Sequence, residues 1–161
     1  ALTGHLVLST LHTNDAPSAV TRLIDMGVKP FLVASAVKAI MAQRLVRRIC
    51  KNCAAPAVPT PDEIRLLDLD EKYISSSTLM KGRGCSKCGN TGYKGRMGIY
   101  EIFLVGEEIQ HLIYNKSSAN IIREAARKSG MRTLREDGLR KAAAGSTSLA
   151  EVIMMTMGDE A

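Results

Sequence analysis

The chain has no tryptophan, two phenylalanines and four tyrosines, so aromatic residues fill 4% of its 161 positions. That scarcity argues against a platform of exposed rings on which single-stranded nucleic acid stacks. No uncharged apolar run approaches the roughly 18 residues that a membrane-spanning helix needs. The longest candidate, FLVASAVKAIMAQ over residues 31–43, is broken by Lys38. No secretory leader opens the sequence, and it holds no internal repeat and no low-complexity tract. Acidic residues are in the minority, 16 Asp and Glu against 22 Lys and Arg, for a net charge of +6 and a pI near 9.3. Such an excess admits a nucleotide, a nucleic acid or an anionic membrane surface as partner, and equally admits a merely solvated face. The remaining composition, 45% hydrophobic and 24% charged, is that of a globular domain.

What is present begins with cysteine. All four fall into two C-x-x-C pairs, Cys50 and Cys53 in CKNC and Cys85 and Cys88 in CSKC. Each pair places two thiolates on one edge of a tetrahedron, so two pairs complete a four-cysteine site. Zn²⁺ suits it, because thiolate matches its softness and its filled shell imposes no competing geometry. The role is structural, since four thiolates leave no open position for a substrate. Disulfides would need an oxidising compartment, and redox chemistry at one pair would leave the other idle. Zinc outweighs both. The glycines of GCSKCGNTGYKGRMG let the backbone wrap tightly, so that amides can point at the sulfurs. Residues 54–84 carry too little apolar material for a core of their own, and a structural zinc, worth on the order of 10 kcal/mol, would hold such a module shut.

Periodicity organises the rest as an α/β chain. HLVLSTL, residues 5–11, reads as a buried strand, followed by a helix capped by Asn14 or Asp15 with Pro17 in its first turn. Val20, Leu23 and Ile24 form that helix's apolar stripe and Gly27 stops it. Pro30 opens a second helix predicted over residues 30–43, and RLVRRIC is a strand leading into the first cysteine pair. A short helix is expected from Pro61 to Leu67 with Thr60 as its cap. RMGIYEIFLV is a further strand. Helices follow in EEIQHLIYN, SANIIREAARKSG, MRTLREDGLRKAAAG and SLAEVIMMT, the last with Ser148 and Glu151 in capping-box spacing.

Three segments together, LTGHLVLSTLHTNDAPSAVTRL, QRLVRRICKNC with GCSKCGNTGYKGRMGIYEIF, and GMRTLREDGLRKAAAGSTSLAEV, resemble the secretion ATPases that power type II secretion and type IV pilus assembly. The resemblance implies the C-terminal portion of a RecA-like ATPase domain with an inserted four-cysteine zinc module and a C-terminal helical segment. Residues 1–49 would be motor domain, 50–95 the metal module, and 96–161 the returning strand and C-terminal helices. It further implies ATP and Mg²⁺ in the full-length parent and a homohexamer of neighbouring subunits. The partners would be inner-membrane platform proteins, at a cytoplasmic location peripheral to the inner membrane, with no nucleic acid expected. The phosphate-cradling pattern G-x-x-x-x-G-K-[ST] and an acidic Walker B segment are absent from these 161 residues, so the chain alone is expected not to hydrolyse ATP.

In the histidine box of that family, His5 and His12 are the matching positions, and His12 is the one expected to face nucleotide. At the carboxyl end of a strand, beside Thr10, Thr13 and Asn14, a neutral imidazole can donate to a γ-phosphate oxygen or report its loss. Arg22 on the following helix and Arg96 after the metal module are further candidates to approach the nucleotide. His111 lies in a helical stretch with no evident partner. Two alternatives compete, a zinc-ribbon nucleic-acid binder and a zinc-knuckle adaptor. Both leave STLHTNDAPSAVTRL unexplained, and residues 50–95 offer only Tyr73 and Tyr93 as aromatics.

Overall fold

Local signals set most of the elements of the computed structural model, which describes residues 4–157. In chain order they are α1 (Ser18–Asp25), α2 (Pro30–Ala36), β1 (Ala39–Ile49), β2 (Ala54–Pro56), α3 (Pro61–Leu67), α4 (Glu71–Ser76) and β3 (Met80–Gly82). A 3-10 turn (Ser86–Cys88) precedes β4 (Tyr93–Leu104), α5 (Glu107–Tyr114), α6 (Ala119–Lys128), α7 (Leu134–Ala143) and α8 (Leu149–Thr156). The protein is thus mixed α/β. β1 pairs with β4, and β2 pairs antiparallel with β3, Ala54 opposite Gly82. No described helix is long and apolar enough to cross a membrane.

The chain forms two compact units, each built from two separated stretches: residues 1–42 with 101–133, and 43–100 with 134–161. The first has a core of Val20 from α1, Val33 and Ala34 from α2, Phe103 from β4, Ile109 and Ile113 from α5, and Ile122, Ala125 and Ala126 from α6. Leu23 and Ile24 pack against it, completing the stripe read from the sequence. Pro17, the residue before this helix, makes no side-chain cap, and Asp15, three residues ahead of Ser18, supplies the acceptor instead: its Oδ1 accepts from the Ser18 N–H at 2.7 Å.

Two expectations fail here. Residues 5–13 form no strand, and the segment is exposed, with Leu6 and Leu8 each 86% accessible. A strand is defined by a neighbour's hydrogen-bond ladder, and no described segment pairs with this one. The helix predicted over residues 30–43 ends at Ala36, because Val37 adopts an extended ψ of 125°, and β1 begins at Ala39. Apolar residues on nearly every position suit both periods; the strand wins where β4 supplies a partner.

In the second unit, α3 starts as expected. Thr60 Oγ1 accepts from the Glu63 N–H at 3.2 Å while Glu63 Oε2 accepts from the Thr60 N–H at 2.9 Å, a reciprocal capping box. The few apolar residues between the cysteine pairs find their core elsewhere: Leu67, Leu69 and Leu79 pack with Ala142 of α7 and with Leu149 and Val152 of α8. Tyr73 on α4 donates its hydroxyl to Leu139 O at 2.7 Å, fixing the insert to α7. Gly138 on α7 faces Val152 on α8, with no room between them for a Cβ.

Candidate metal centre

The two C-x-x-C turns lie at the ends of paired strands. Cys50 follows β1 directly, and its N–H donates to Gly92 O at 2.9 Å, just before β4. Cys53 enters β2, and its O accepts from the Arg83 N–H at 2.9 Å, just after β3. Cys85 opens the 3-10 turn that ends in Cys88. These backbone bonds bring all four sulfurs within 4.8 Å of one another. The Sγ–Sγ separations are 3.9 Å for Cys50–Cys85, 3.9 Å for Cys53–Cys88 and 3.7 Å for Cys85–Cys88. A tetrahedral ion with bonds of about 2.3 Å to sulfur demands edges of about 3.8 Å. The cysteines are all unbridged, and their geometry fits a divalent ion of that size.

Hydrogen bonds to the sulfurs complete the fit. Cys88 Sγ accepts from the N–H groups of Cys85 at 3.2 Å and Gly92 at 3.3 Å, and Cys85 Sγ accepts from Asn52 Nδ2 at 3.3 Å. The Asn52 amide leads in pulling the Cys85 thiol down to about 6. Burial pushes the Cys88 thiol up, but the amides of Cys85 and Gly92 outweigh it and its net shift is downward. Burial dominates at Cys53 and pushes it up to about 11. Thiolates are the species that bind metal, so donors aimed at sulfur favour the loaded form. Gly92 can serve both knuckles because Gly82 lies against it; a Cβ on Gly82 would stand 1.9 Å from Gly92 O.

Behind the first knuckle lies a clamp absent from the sequence reading. Arg47 on β1 donates its N–H to Glu151 Oε2 at 2.8 Å and its guanidinium to Oε1, Nε at 2.9 Å. The Glu151 hydrogen bond raises the Arg47 pKa. The guanidinium stacks 4.3 Å from the Tyr93 ring, and the Tyr93 hydroxyl lies 2.7 Å from Ser148 Oγ. Ser148 Oγ accepts from the Glu151 N–H at 3.3 Å, as its cap spacing predicts, but the Glu151 carboxylate turns to Arg47. An acid amid the apolar residues of SLAEVIMM was the available signal.

Among the described residues, the four cysteines are the sequence candidates that the structure brings together. His5 and His12 are exposed in the segment without regular structure, and Arg22 is exposed on α1. Arg96, exposed on β4, lines an open groove of about 390 Å³ with Arg48, Lys51, Lys87 and Lys94 beside Cys50. Four thiolates around a divalent ion would carry a charge of about −2, and these five cations supply the opposite sign. His111 is near Asn115, whose Nδ2 lies 3.2 Å from His111 Nδ1.

The model of the type II/IV secretion system protein family matches residues 1–154. The chain belongs to that family. It is 52% identical over 157 residues to the type IV pilus assembly ATPase PilB of Thermus thermophilus, covering 98% of this chain and 18% of that protein. It is 47% identical over 156 residues to the type II secretion system protein HxcR of Pseudomonas aeruginosa, covering 97% and 29%. It is 43% identical over 156 residues to the type II secretion system ATPase E of Vibrio cholerae, covering 97% and 30%. The chain spans less than a third of the length of each of these relatives.

Proposed function

We propose that the chain is a working part of a motor ATPase that couples ATP hydrolysis to pilin or pseudopilin assembly and protein export. The observation that carries this reading is similarity along nearly the whole chain, histidine segment, cysteine pairs and C-terminal helices alike, to relatives named as ATPases of both systems. A nucleic-acid ribbon or an adaptor knuckle would account for residues 50–95 alone.

In this reading residues 1–49 are the C-terminal part of a RecA-like motor domain, residues 50–95 its tetracysteine module, and residues 96–161 the returning strand and C-terminal helices. Cys50, Cys53, Cys85 and Cys88 hold a structural Zn²⁺, which when bound cross-links the two knuckles. His12, with His5 in the same segment, serves the phosphate side of a nucleotide site, where the imidazole donates to a γ-phosphate oxygen and so orients it. Arg22 and Arg96 are candidate cations near the nucleotide. ATP and Mg²⁺ are the implied cofactors. Neighbouring subunits of a homohexamer and inner-membrane platform proteins are the implied partners, with the motor on the cytoplasmic side of the inner membrane.

These 161 residues contain no G-x-x-x-x-G-K-[ST] loop, so alone they are expected to release no phosphate from ATP. In the intact motor, His12→Ala should lower turnover at saturating ATP far more than it weakens nucleotide binding, because the contact is with the phosphate that leaves. Phosphate release measured beside nucleotide affinity tests this. Wild-type turnover in His12→Ala refutes the histidine role, and an intact protein without ATPase activity refutes the motor.

A further inference from the structure

The start of α1 is held from three directions, and a helix start needs only one of them. Asp15 Oδ1 accepts from the Ser18 N–H, which satisfies an otherwise orphan donor of the first turn. The other two holds come from far along the chain. Glu101 on β4 accepts from the Ala16 N–H at 2.7 Å, and Arg123 on α6 donates to Asp15 Oδ2 at 2.5 Å. These partners are separated by 85 and 108 residues. Glu101 is 4% exposed and Asp15 7%. Two carboxylates are rarely buried beside one helix end unless their placement serves something, since desolvating each is costly. The brace also reaches backwards: Thr13 Oγ1 donates to Asp15 O at 2.9 Å, so the residue after His12 is tied to the braced turn. Upstream, residues 4–12 are exposed and without regular structure. Asp15 and Ala16 are therefore the fixed end of the segment that carries both box histidines.

We propose that Glu101 and Arg123 are positioning residues for His12. By locking the backbone at Ala16 and the carboxylate of Asp15, they set where the turn through Thr13 and Asn14 presents the imidazole. The role rests on the phosphate-side function proposed for His12. Removing the Glu101 acceptor leaves the Ala16 N–H unsatisfied and frees the turn to shift. A displacement of about 1 Å at a group that orients a reacting phosphate is enough to cost on the order of 100-fold in rate.

The test uses the intact motor ATPase with Glu101→Ala, Glu101→Gln and Arg123→Ala, each alone and combined with His12→Ala. The readouts are kcat and KM for ATP, nucleotide affinity and the thermal midpoint. Glu101→Ala should lower kcat by roughly 10- to 100-fold with KM and nucleotide affinity within about twofold. Glu101→Gln keeps an acceptor oxygen and should restore most of that loss. Neither variant should slow His12→Ala further, because both act through the same imidazole. If Glu101→Ala fails to fold, Arg123→Ala, whose side chain is 24% exposed, carries the same comparison. Wild-type kcat in the brace variants, equal loss from Gln and Ala, or the same fold-loss in the presence and absence of His12 would each overturn the positioning role. Wild-type turnover in His12→Ala alone would instead remove the histidine function, and that outcome is visible in the single variant before any combination is made.

Discussion

Gly82→Ala should weaken metal binding while touching no ligand. A Cβ on Gly82 would lie 1.9 Å from Gly92 O and 2.5 Å from both the Gly92 carbonyl carbon and Cα. A carbon–oxygen contact needs about 3.3 Å, so the two backbones must part by roughly 1.4 Å. Neither side is a flexible side chain that can swing away. Gly92 sits between the knuckles: its O accepts from the Cys50 N–H at 2.9 Å and its N–H donates to Cys88 Sγ at 3.3 Å. Metal–ligand distances tolerate only about 0.2 Å. Two lost hydrogen bonds at about 1 kcal/mol each, with the displaced ligand shell, predict a loss of about 2–4 kcal/mol in metal affinity, or roughly 30- to 1000-fold. Competition with a chromophoric zinc chelator measures it directly. Gly106→Ala, whose Cβ meets nothing within 4 Å, is the control that should bind as wild type. Wild-type zinc affinity in Gly82→Ala would refute the account of how the knuckles are held together.

Protein purified without added zinc should carry close to one equivalent, and Cys85→Ser should lose it, with hydrogen exchange accelerating around the knuckles more than in the flanking elements. Iron–sulfur absorbance or disulfides at those positions would contradict the zinc centre. Arg47→Ala strands a carboxylate that is 1% exposed, leaving it one backbone donor, and should destabilise by about 3–5 kcal/mol in urea titration. Glu151→Gln keeps an acceptor and should cost less than half as much; equal costs would show that the charge is not what matters. Gly138→Ala gains about 1 kcal/mol of helix propensity, but its Cβ would meet Val152 Cγ1 at 2.9 Å. The net result should be a loss of about 1–2 kcal/mol, recovered in part by adding Val152→Ala, and a thermal midpoint above wild type for Gly138→Ala would reverse the argument.

How much of this was legible depended on the range of the physics. α3 was readable to its end residues because Thr60, Pro61 and Glu63 are all within one turn. The four-cysteine cluster was readable because C-x-x-C spacing fixes half its geometry, and only the closing of the two knuckles needs the fold. α4 escaped, though Asp70, whose Oδ1 accepts from the Tyr73 N–H at 2.6 Å, is a local cap that could have disclosed it. HLVLSTL misled because apolar, β-branched composition states only that a strand is permitted, and pairing is decided by a neighbour. The same limit hid where α2 gives way to β1. The Arg47–Glu151 and Glu101–Ala16 contacts join residues 104 and 85 apart, and no local pattern announces them.

The interleaving of the second unit has a consequence for how the chain is made. Synthesis proceeds from the N-terminus at about 5–20 residues per second in the cell, so all four cysteines emerge before α7 and α8 exist. The knuckles can load and close on the nascent chain, since their strands β2 and β3 are already out. Leu67, Leu69 and Leu79 cannot be covered then, because Ala142, Leu149 and Val152 are still to come. A nascent chain stalled before α8 has emerged would therefore display the paired cysteine knuckles, able to close on a metal ion, beside uncovered apolar side chains. That half-made unit is a ready substrate for chaperones, and the arrival of α8 rather than the metal decides when its apolar side chains are covered.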